Sequence, residues 1–168
     1  MRDLGSEGIK TENEIEFLDL LREFDRRGIR FLIIGRRAVV LHGAPVLTAD
    51  YDLWIHPEYK KKTLSFLSDD LDFELSQPPE TRKLVVTAFC GRKKYDLFFH
   101  RSVRTIESET VDFDECYRNS VVREGTSEQV RFCIPSIDDL IRLKKIRKPN
   151  AKDQQDIEYL LKAKRLLK

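Results

Sequence analysis

The stretch GRRAVVLHGAPVLTADYDLWI, residues 35–55, carries most of the information about the fold. It follows a short apolar run, residues 29–34, which predicts a buried strand that ends at Gly35. Residues 36–41 then predict a short helix, because a glycine at a strand end lets the backbone turn sharply. After the breaker sequence HGAP, residues 48–55 predict a second strand.

Two aspartates occupy alternate positions of this second predicted strand. Because side chains alternate between the faces of a strand, Asp50 and Asp52 are expected on one face and Tyr51 on the other. Two adjacent carboxylates repel each other, and a divalent cation between them removes that repulsion. Mg²⁺ is usually held by one or two carboxylates together with phosphate oxygens and water. The pattern therefore predicts a site for Mg²⁺, or Mn²⁺, at Asp50 and Asp52.

A third carboxylate is expected from a neighbouring strand, and Asp96 fits this role. It is the one acid in the apolar and aromatic run YDLFF, residues 95–99, so it either faces a site or is a costly buried charge. Three acids around a pair of metal ions support in-line phosphoryl or nucleotidyl transfer. A carboxylate beside an acceptor hydroxyl can also take its proton. We therefore predict catalytic and metal-binding roles for Asp50, Asp52 and Asp96.

The remaining elements follow from hydrophobic periodicity and from Gly and Pro breakers. Thr11 and Glu14 form a plausible capping box at the start of the first helix. The predicted fold class is α/β (α+β), a mixed sheet flanked by helices with a C-terminal helical pair. The predicted segments are helices over 11–27, 57–68, 111–119, 137–147 and 151–167, a strand edge or loop over 73–79, a hairpin of 84–90 with 94–99, and a strand pair of 121–122 with 130–134.

Length and composition indicate one domain. The chain has 168 residues, of which 40% are hydrophobic and 36% charged, enough for a core and a well-solvated surface. We expect a single domain over residues 1–168, with a flexible start over 1–10 and C-terminal helices over 136–168. No apolar run approaches the roughly 20 residues of a membrane span, so no membrane partner is expected. The polar first residues lack the apolar stretch of a secretory signal, which predicts a cytoplasmic protein.

The charge is distributed unevenly along the chain. The net charge is only +2, but residues 140–168 contain ten Lys or Arg against three Asp or Glu, a local charge of +7. Such a basic segment suits an anionic ligand such as a nucleotide or RNA, although a solvated helix face has the same composition. The widely spaced Cys90, Cys116 and Cys133 form no CxxC pair, so neither a zinc site nor a disulfide framework is predicted.

Residues 35–55 resemble the first motif of the DNA polymerase β-like nucleotidyltransferase superfamily. The resemblance is greatest to the small bacterial branch that includes the AbiEii-type toxins and their uncharacterised relatives. The motif consists of Gly-Gly or Gly-Ser at a strand end, a short helix, often His-Gly-x-Pro-Arg-x-Thr, and then Asp-x-Asp-Leu. The matching positions are Gly35, His42, Gly43, Pro45, Thr48, Asp50, Asp52 and Leu53.

A late segment, residues 135–160, resembles the third motif of that branch, a Lys-rich helix followed by Lys-Asp-x-x-Asp. The matching positions there are Lys144, Lys152, Asp153 and Asp156, and Asp96 falls where the third catalytic acid of the family would be. The resemblance implies a nucleotidyltransferase fold and a Mg²⁺-dependent transfer of a nucleoside monophosphate from an NTP to an acceptor. It assigns metal binding to Asp50 and Asp52, and metal binding or base catalysis to Asp96. The nucleotide-binding residues that it implies are Gly35, Arg36, Thr48, Lys144 and Lys152.

Several alternatives stay open on the sequence alone. Arg36 stands where relatives carry Gly or Ser, and Val46 where they often carry Arg; Arg36 either neutralises the γ-phosphate or blocks the pocket. Acceptors across the superfamily include RNA ends, protein hydroxyls and small molecules, and the toxin-like branch adds an expected antitoxin-like partner. The competing hypothesis is a catalytically inactive protein of this fold that binds nucleotide, nucleic acid or a partner protein.

Overall fold

The structure is a computed structural model, and it describes residues 15–125 and 130–167. The predicted capping box of Thr11 and Glu14 lies outside the described residues. The helices are α1 (Phe17–Arg26), α2 (Gly35–Leu41), α3 (Lys60–Asp69, preceded by a 3₁₀ turn at Pro57–Tyr59), α4 (Phe113–Arg118), α5 (Ile137–Leu143) and α6 (Ala151–Leu166). The strands are β1 (Phe31–Ile34), β2 (Tyr51–Ile55), β3 (Glu74–Leu75), β4 (Val85–Cys90), β5 (Lys93–Phe98), β6 (Ser102–Arg104), β7 (Thr110–Asp112), β8 (Val121–Glu124) and β9 (Arg131–Ile134).

Five strands form the central mixed sheet, in the order β1-β2-β5-β4-β3. The pair β2 and β5 is parallel, and the other neighbours are antiparallel. The short ribbons β6-β7 and β8-β9 are separate two-stranded sheets. This confirms the predicted fold class of a mixed sheet with flanking helices.

The register of the sheet aligns one row of residues across four strands. Ile34 of β1 pairs with Asp52 of β2, Asp52 with Asp96 of β5, and Asp96 with Thr87 of β4. Paired residues of neighbouring strands point to the same face of a sheet. The row therefore places both acids on one face, directly side by side.

The opposite face of the sheet covers the main core. Leu53 and Tyr95 point there, because they alternate with the two acids, and they pack with buried side chains of α1 and α3 such as Phe24 and Leu64. The face that carries the acids is covered only in part. A second cluster, centred on Trp54 with side chains from β7 and α4, covers the end of the sheet beyond the acids and leaves the acids at its border.

Several predicted boundaries differ from the structure; α5, for example, ends at Leu143 and not at residue 147. The second strand begins at Tyr51 and not at residue 48, so Asp50 precedes it. The prediction of a helix from residue 111 was wrong at its start, because 110–112 pair as β7 and the side chain of Asp112 caps α4 by accepting a hydrogen bond from the N–H of Glu115. The strand β6 was not predicted, since three residues are too few for a periodic pattern.

The C-terminal helical pair is confirmed and is tied to the rest of the chain. Helix α6 begins with a capping box of Asn150 and Asp153, whose side chains and backbone N–H groups satisfy one another. The Nε2 of His42, after α2, lies 2.8 Å from the carbonyl of Pro135, before α5. Within residues 15–125 and 130–167, no helix is both long and apolar enough to cross a membrane.

Candidate active site

The centre of the candidate site is the pair of carboxylates on the two parallel strands. Asp52 and Asp96 are register partners on β2 and β5. Burial, followed by the negative charges of Asp96 and Asp50, raises the pKa of Asp52 to about 6, although Lys144 and Lys94 oppose the shift. The sheet therefore holds several negative charges close together, an arrangement that a bound cation stabilises.

Gly35 makes room for this pair. Its φ angle is +68°, a left-handed conformation that side-chain-bearing residues rarely adopt. A Cβ at this position would lie 3.1 Å from both Cβ and Cγ of Asp52, and closer still to the carboxylate oxygen Oδ2. The glycine is thus required twice, for the turn from β1 into α2 and for the close approach of its backbone to Asp52.

Asp50 is held beside the pair by its backbone. The hydroxyl of Thr48 accepts a hydrogen bond from the N–H of Asp50 at 3.1 Å. The guanidinium of Arg37 donates to the carbonyls of Asp50 and Thr48 at 3.1 and 3.2 Å, and it stacks over the ring of Tyr51 at 4.1 Å. Thr48 and Arg37 therefore fix the path of the chain into β2, while the Asp50 side chain stays exposed.

Thr87 contacts the third acid. Its hydroxyl donates to Oδ1 of Asp96 at 2.9 Å, and the ammonium of Lys94 lies 3.9 Å from Oδ2. The carboxylate is therefore oriented by one neutral hydrogen bond at Oδ1, while its Oδ2 has a long ion pair with Lys94. Sequence reasoning missed Thr87, although a two-residue turn at Gly91-Arg92 would have paired it with Asp96.

A buried carboxylate, Asp156, links the two predicted phosphate-binding cations. The side chain of Asp156 is only 1% exposed. The Nε of Arg36 donates to its Oδ1 at 3.2 Å, and the Nζ of Lys144 forms an ion pair with its Oδ2 at 3.0 Å. A second nitrogen of Arg36 donates to Gln155 at 2.7 Å. This triad, Arg36, Asp156 and Lys144, joins the starts of α2 and α6 to the end of α5.

The other predicted residues of the late motif have different surroundings. Lys152 is exposed on α6. Asp153 is mostly buried, where it caps α6 and lies 3.7 Å from the guanidinium of Arg147. Of the two predicted lysines, the structure therefore brings Lys144 to the acids and leaves Lys152 on the surface.

A cleft of about 390 Å³ opens beside Asp52. Gly35, Asp52 and Lys144 line one end, and Arg147 and Asp153 contribute further charge. The remainder is largely apolar. Its other lining residues are Ile34, Trp54, Val85, Phe98, His100, Val103, Leu140, Leu143 and Ile146. A mostly apolar cleft of this size with a few charged groups at one end is typical of a small-molecule site.

The acids fit a divalent cation in their chemistry, since Mg²⁺ takes carboxylate oxygens and completes its octahedral shell with water and phosphate. The positions that would hold it are Asp52 and Asp96, with Asp50 at the edge. Within residues 15–125 and 130–167, no group of three or more acidic, histidine or cysteine side chains is placed so that it could hold a metal ion. The site is therefore an open carboxylate pair rather than a preformed metal cage.

Comparison with known proteins identifies the fold. No family model matches the sequence, and no curated protein matches it. The crystal structure of the lincosamide antibiotic adenylyltransferase LnuA, with lincomycin bound, superposes with a TM-score of 0.64 at 14% identity, covering 92% of this chain and 98% of that one. The solution structure of the antibiotic-resistance factor ANT(2'')-Ia superposes with a TM-score of 0.57 at 14% identity, covering 86% of this chain and 80% of that one. The crystal structure of an antigenic nucleotidyltransferase-like protein from Paracoccidioides brasiliensis superposes with a TM-score of 0.57 at 18% identity, covering 89% of this chain and 73% of that one.

The chain therefore has the nucleotidyltransferase fold, as its first motif predicts. At identities of 14–18% the likeness establishes the fold and not the activity. The assignment to the AbiEii-type branch, and the individual roles of the site residues, stay predictions.

Proposed function

We propose that this chain is a Mg²⁺-dependent nucleotidyltransferase that moves a nucleoside monophosphate from an NTP to an acceptor hydroxyl. The observation that carries the proposal is the register pairing of Asp52 with Asp96 on parallel strands, directly beside Gly35. A half-buried pair of like charges costs stability. The pair lies at the end of a cleft, where binding of a cation and a phosphate would offset this loss of stability.

The roles follow from position. Asp52, Asp96 and Asp50 would hold Mg²⁺, which when bound offsets the negative charge that develops on the phosphates. Gly35 would let the backbone at the start of α2 lie close to Asp52, so that backbone N–H groups can meet the triphosphate. Lys144, at the same end of the cleft, faces the phosphates with its positive charge. The largely apolar remainder of the cleft takes the nucleoside.

The chemical step is a displacement at the α-phosphorus. The oxygen of the acceptor hydroxyl forms a bond to the α-phosphorus, and the bond from that phosphorus to the pyrophosphate oxygen breaks. The hydroxyl proton passes to Asp96, whose Oδ1 accepts a hydrogen bond from Thr87 and whose Oδ2 lies 3.9 Å from the ammonium of Lys94. The products are the nucleotidylated acceptor and pyrophosphate.

The second candidate is a catalytically inactive scaffold that binds a nucleotide or a partner. One observation favours it. Asp156 already pairs with both Arg36 and Lys144, so two cations expected at the phosphates are neutralised within the protein. In this case the cleft would bind a ligand without chemistry.

The experiment is a transfer assay with Mg²⁺ and each α-³²P-labelled NTP, using bulk RNA, cell lysate protein and a small-molecule pool as acceptors. The proposal expects label in one acceptor class from the wild type. It expects at least about a hundredfold less from Asp52→Asn, because the acids act as a unit. The matched control is Asp69→Asn, which changes an acid at the end of α3 and should leave the rate unaltered.

Nucleotide binding separates the two candidates. If wild type and Asp52→Asn both transfer nothing, yet an NTP raises the melting temperature of the wild type, the scaffold function holds. If no NTP stabilises the protein with or without Mg²⁺, the transferase and the nucleotide-binding scaffold are both wrong, since a ligand that binds the folded state must stabilise it. Only a scaffold for another partner would then remain.

A further inference from the structure

The side chain of Arg36 is held on α6 and not in the cleft. Its Nε donates to Oδ1 of Asp156 at 3.2 Å and a second nitrogen donates to Gln155 at 2.7 Å. These two hydrogen bonds fix the guanidinium, and only 15% of the side chain is exposed. Gly35 and Lys144 are among the described residues that line the cleft, and Arg36 is not. In this conformation the guanidinium of Arg36 therefore neither fills the cleft nor lines it.

Lys144 is bound to the same carboxylate, but less firmly. Its Nζ lies 3.0 Å from Oδ2 of Asp156, which makes an ion pair. The contact is not an aligned hydrogen bond, since no described residue donates a hydrogen bond to this buried oxygen. Lys144 also lines the cleft at the end where Asp52 lies. Lys144 is therefore the cation of the triad that is placed to change partner, whereas Arg36 is fixed.

The burial of Asp156 determines whether Lys144 can leave it. Removing the partner of a buried charge strongly destabilises a protein, because the remaining charge is uncompensated. The side chain of Asp156 is 1% exposed, so Lys144 could not move to a phosphate if it were the only partner. Arg36 is a second partner, and a guanidinium keeps its charge under all ordinary conditions. With Arg36 in place, Asp156 retains a counter-charge when Lys144 leaves.

Resting on the proposed function, we infer that Arg36 is a positioning residue, which acts through Asp156 to let Lys144 turn to a phosphate in the cleft. In the free protein the two cations share one carboxylate. When a phosphate enters beside Asp52, Lys144 binds it, and Arg36 alone offsets the charge of Asp156. The flexible stem of a lysine permits this change of partner. Without Arg36, the whole charge of Asp156 would keep Lys144 away from the phosphate.

A pair of variants tests whether Arg36 acts through Asp156. The probe is inorganic tripolyphosphate with Mg²⁺, and the measurement is isothermal titration calorimetry. Arg36→Gln should bind the probe about tenfold more weakly than the wild type, a size typical of coupled residues in one network. The double variant Arg36→Gln/Asp156→Asn should regain the wild-type affinity, because no carboxylate then competes for Lys144. A merely structural role predicts the opposite order, since the double variant has lost more of the triad.

The matched control is Arg30→Gln. Arg30 also lies between two acids, Glu58 and Asp114, but it precedes β1 whereas Arg36 follows it. The substitution removes the same charge and a comparable pair of contacts at the other end of the strand. Arg30→Gln should therefore bind tripolyphosphate like the wild type.

NMR spectroscopy of the wild type shows which cation moves. On saturation with tripolyphosphate, the ε-methylene signal of Lys144 should shift. The Nε–H signal of Arg36 should stay protected from exchange with water, because this group remains bonded to Asp156. The measurement needs no variant, so it decides the question even where the double variant does not fold. Loss of protection at Nε–H of Arg36 would mean that Arg36 itself moves to the phosphate, and it overturns the inference.

The outcomes are distinct from those of the transfer assay. A double variant that binds as weakly as Arg36→Gln overturns the inference, and so does an Arg36→Gln protein that binds at least as tightly as the wild type. Absence of tripolyphosphate binding by the wild type also overturns it, and the transfer assay then judges the proposed function alone. The expected pattern of affinities without any transfer of label would support the role of Arg36 and sink the enzyme.

Discussion

The backbone of Gly35 and the carboxylate of Asp52 stand in direct contact, with no room for a Cβ between them. This contact couples the turn at the end of β1 to the acid in β2. It explains why a glycine is needed at a position that is also the first residue of a helix. Residue 35 and residue 52 thus form one unit, although 17 positions separate them in the chain.

We expect Gly35→Ala to lose both stability and activity. Gly28 provides the matched control, because it has the same φ of +68° and nothing within 4 Å of an added Cβ. Gly28→Ala should cost about 1 kcal/mol from backbone strain alone. Gly35→Ala should cost about 1–3 kcal/mol more, because Asp52 must move. Chemical denaturation measures both values, and equal costs would mean that the two residues do not clash.

The raised pKa of Asp52 predicts that the metal-free protein loses free energy of unfolding as the pH rises. A carboxyl whose pKa is about 6 when folded and 3.8 when unfolded binds its proton more tightly in the folded state. The contribution of the Asp52 carboxyl to the free energy of unfolding is therefore full below about pH 4 and is lost as the pH rises through 6. Two pKa units correspond to roughly 3 kcal/mol, which solvent screening at this half-buried group reduces to about 1–2 kcal/mol.

Asp52→Asn should therefore raise the free energy of unfolding by about 1–2 kcal/mol at pH 7.5 and by little at pH 4. Asp50→Asn is the control, and its gain should be smaller, because Asp50 is exposed. Added Mg²⁺ should stabilise the wild type and not Asp52→Asn. A variant that is less stable than the wild type at pH 7.5 without metal would contradict the cost assigned to the carboxylate.

The sequence was sufficient for the elements that depend on local pattern. The apolar run before Gly35 and the alternation around Asp52 predict β1 and β2, and the breaker between them predicts the end of α2. The parallel pairing of β2 with β5 could not be derived from pattern alone. Their acids, Asp52 and Asp96, are 44 positions apart in the chain, and nothing local encodes which strand lies beside which.

The network around Asp156 was also beyond sequence reasoning. The resemblance placed Lys144 and Arg36 near phosphates and matched Asp156 to the late motif without giving it a partner. In the structure Asp156 is buried, because α6 packs on α2 and α5 and leaves this side chain almost without solvent. A carboxylate in that position must take positive partners, and Arg36 and Lys144 are the nearest cations.

We expect Asp156→Asn to destabilise the fold strongly. It leaves two mostly buried cations without a counter-charge, for which about 3–5 kcal/mol is typical. Arg36→Gln should cost less, about 1–2 kcal/mol, because Lys144 still pairs with Asp156. The double variant should then show a coupling of about 1–3 kcal/mol between the two sites. Additive losses in urea unfolding would mean that the ion pair contributes nothing.

Arg37 is expected to position the acids without touching a substrate. Its guanidinium spans the carbonyls of Thr48 and Asp50, and it lies over Tyr51. Arg37→Lys keeps the charge, but a single ammonium cannot reproduce the planar fork. We expect kcat for nucleotide transfer to fall by about tenfold, with the KM for NTP nearly unchanged, because misplacement of acids by even 1 Å is costly.

The readout that separates positioning from mere stability is the Mg²⁺ requirement of the reaction. With the entry to β2 loosened, Arg37→Lys should need a higher Mg²⁺ concentration for half-maximal rate, whereas a simple loss of folded protein lowers the rate equally at all concentrations. Arg26→Lys is the matched control, since Arg26 is an exposed partner of Glu23 within α1. An unchanged Mg²⁺ dependence in Arg37→Lys would restrict Arg37 to a role in packing against Tyr51 and Phe17.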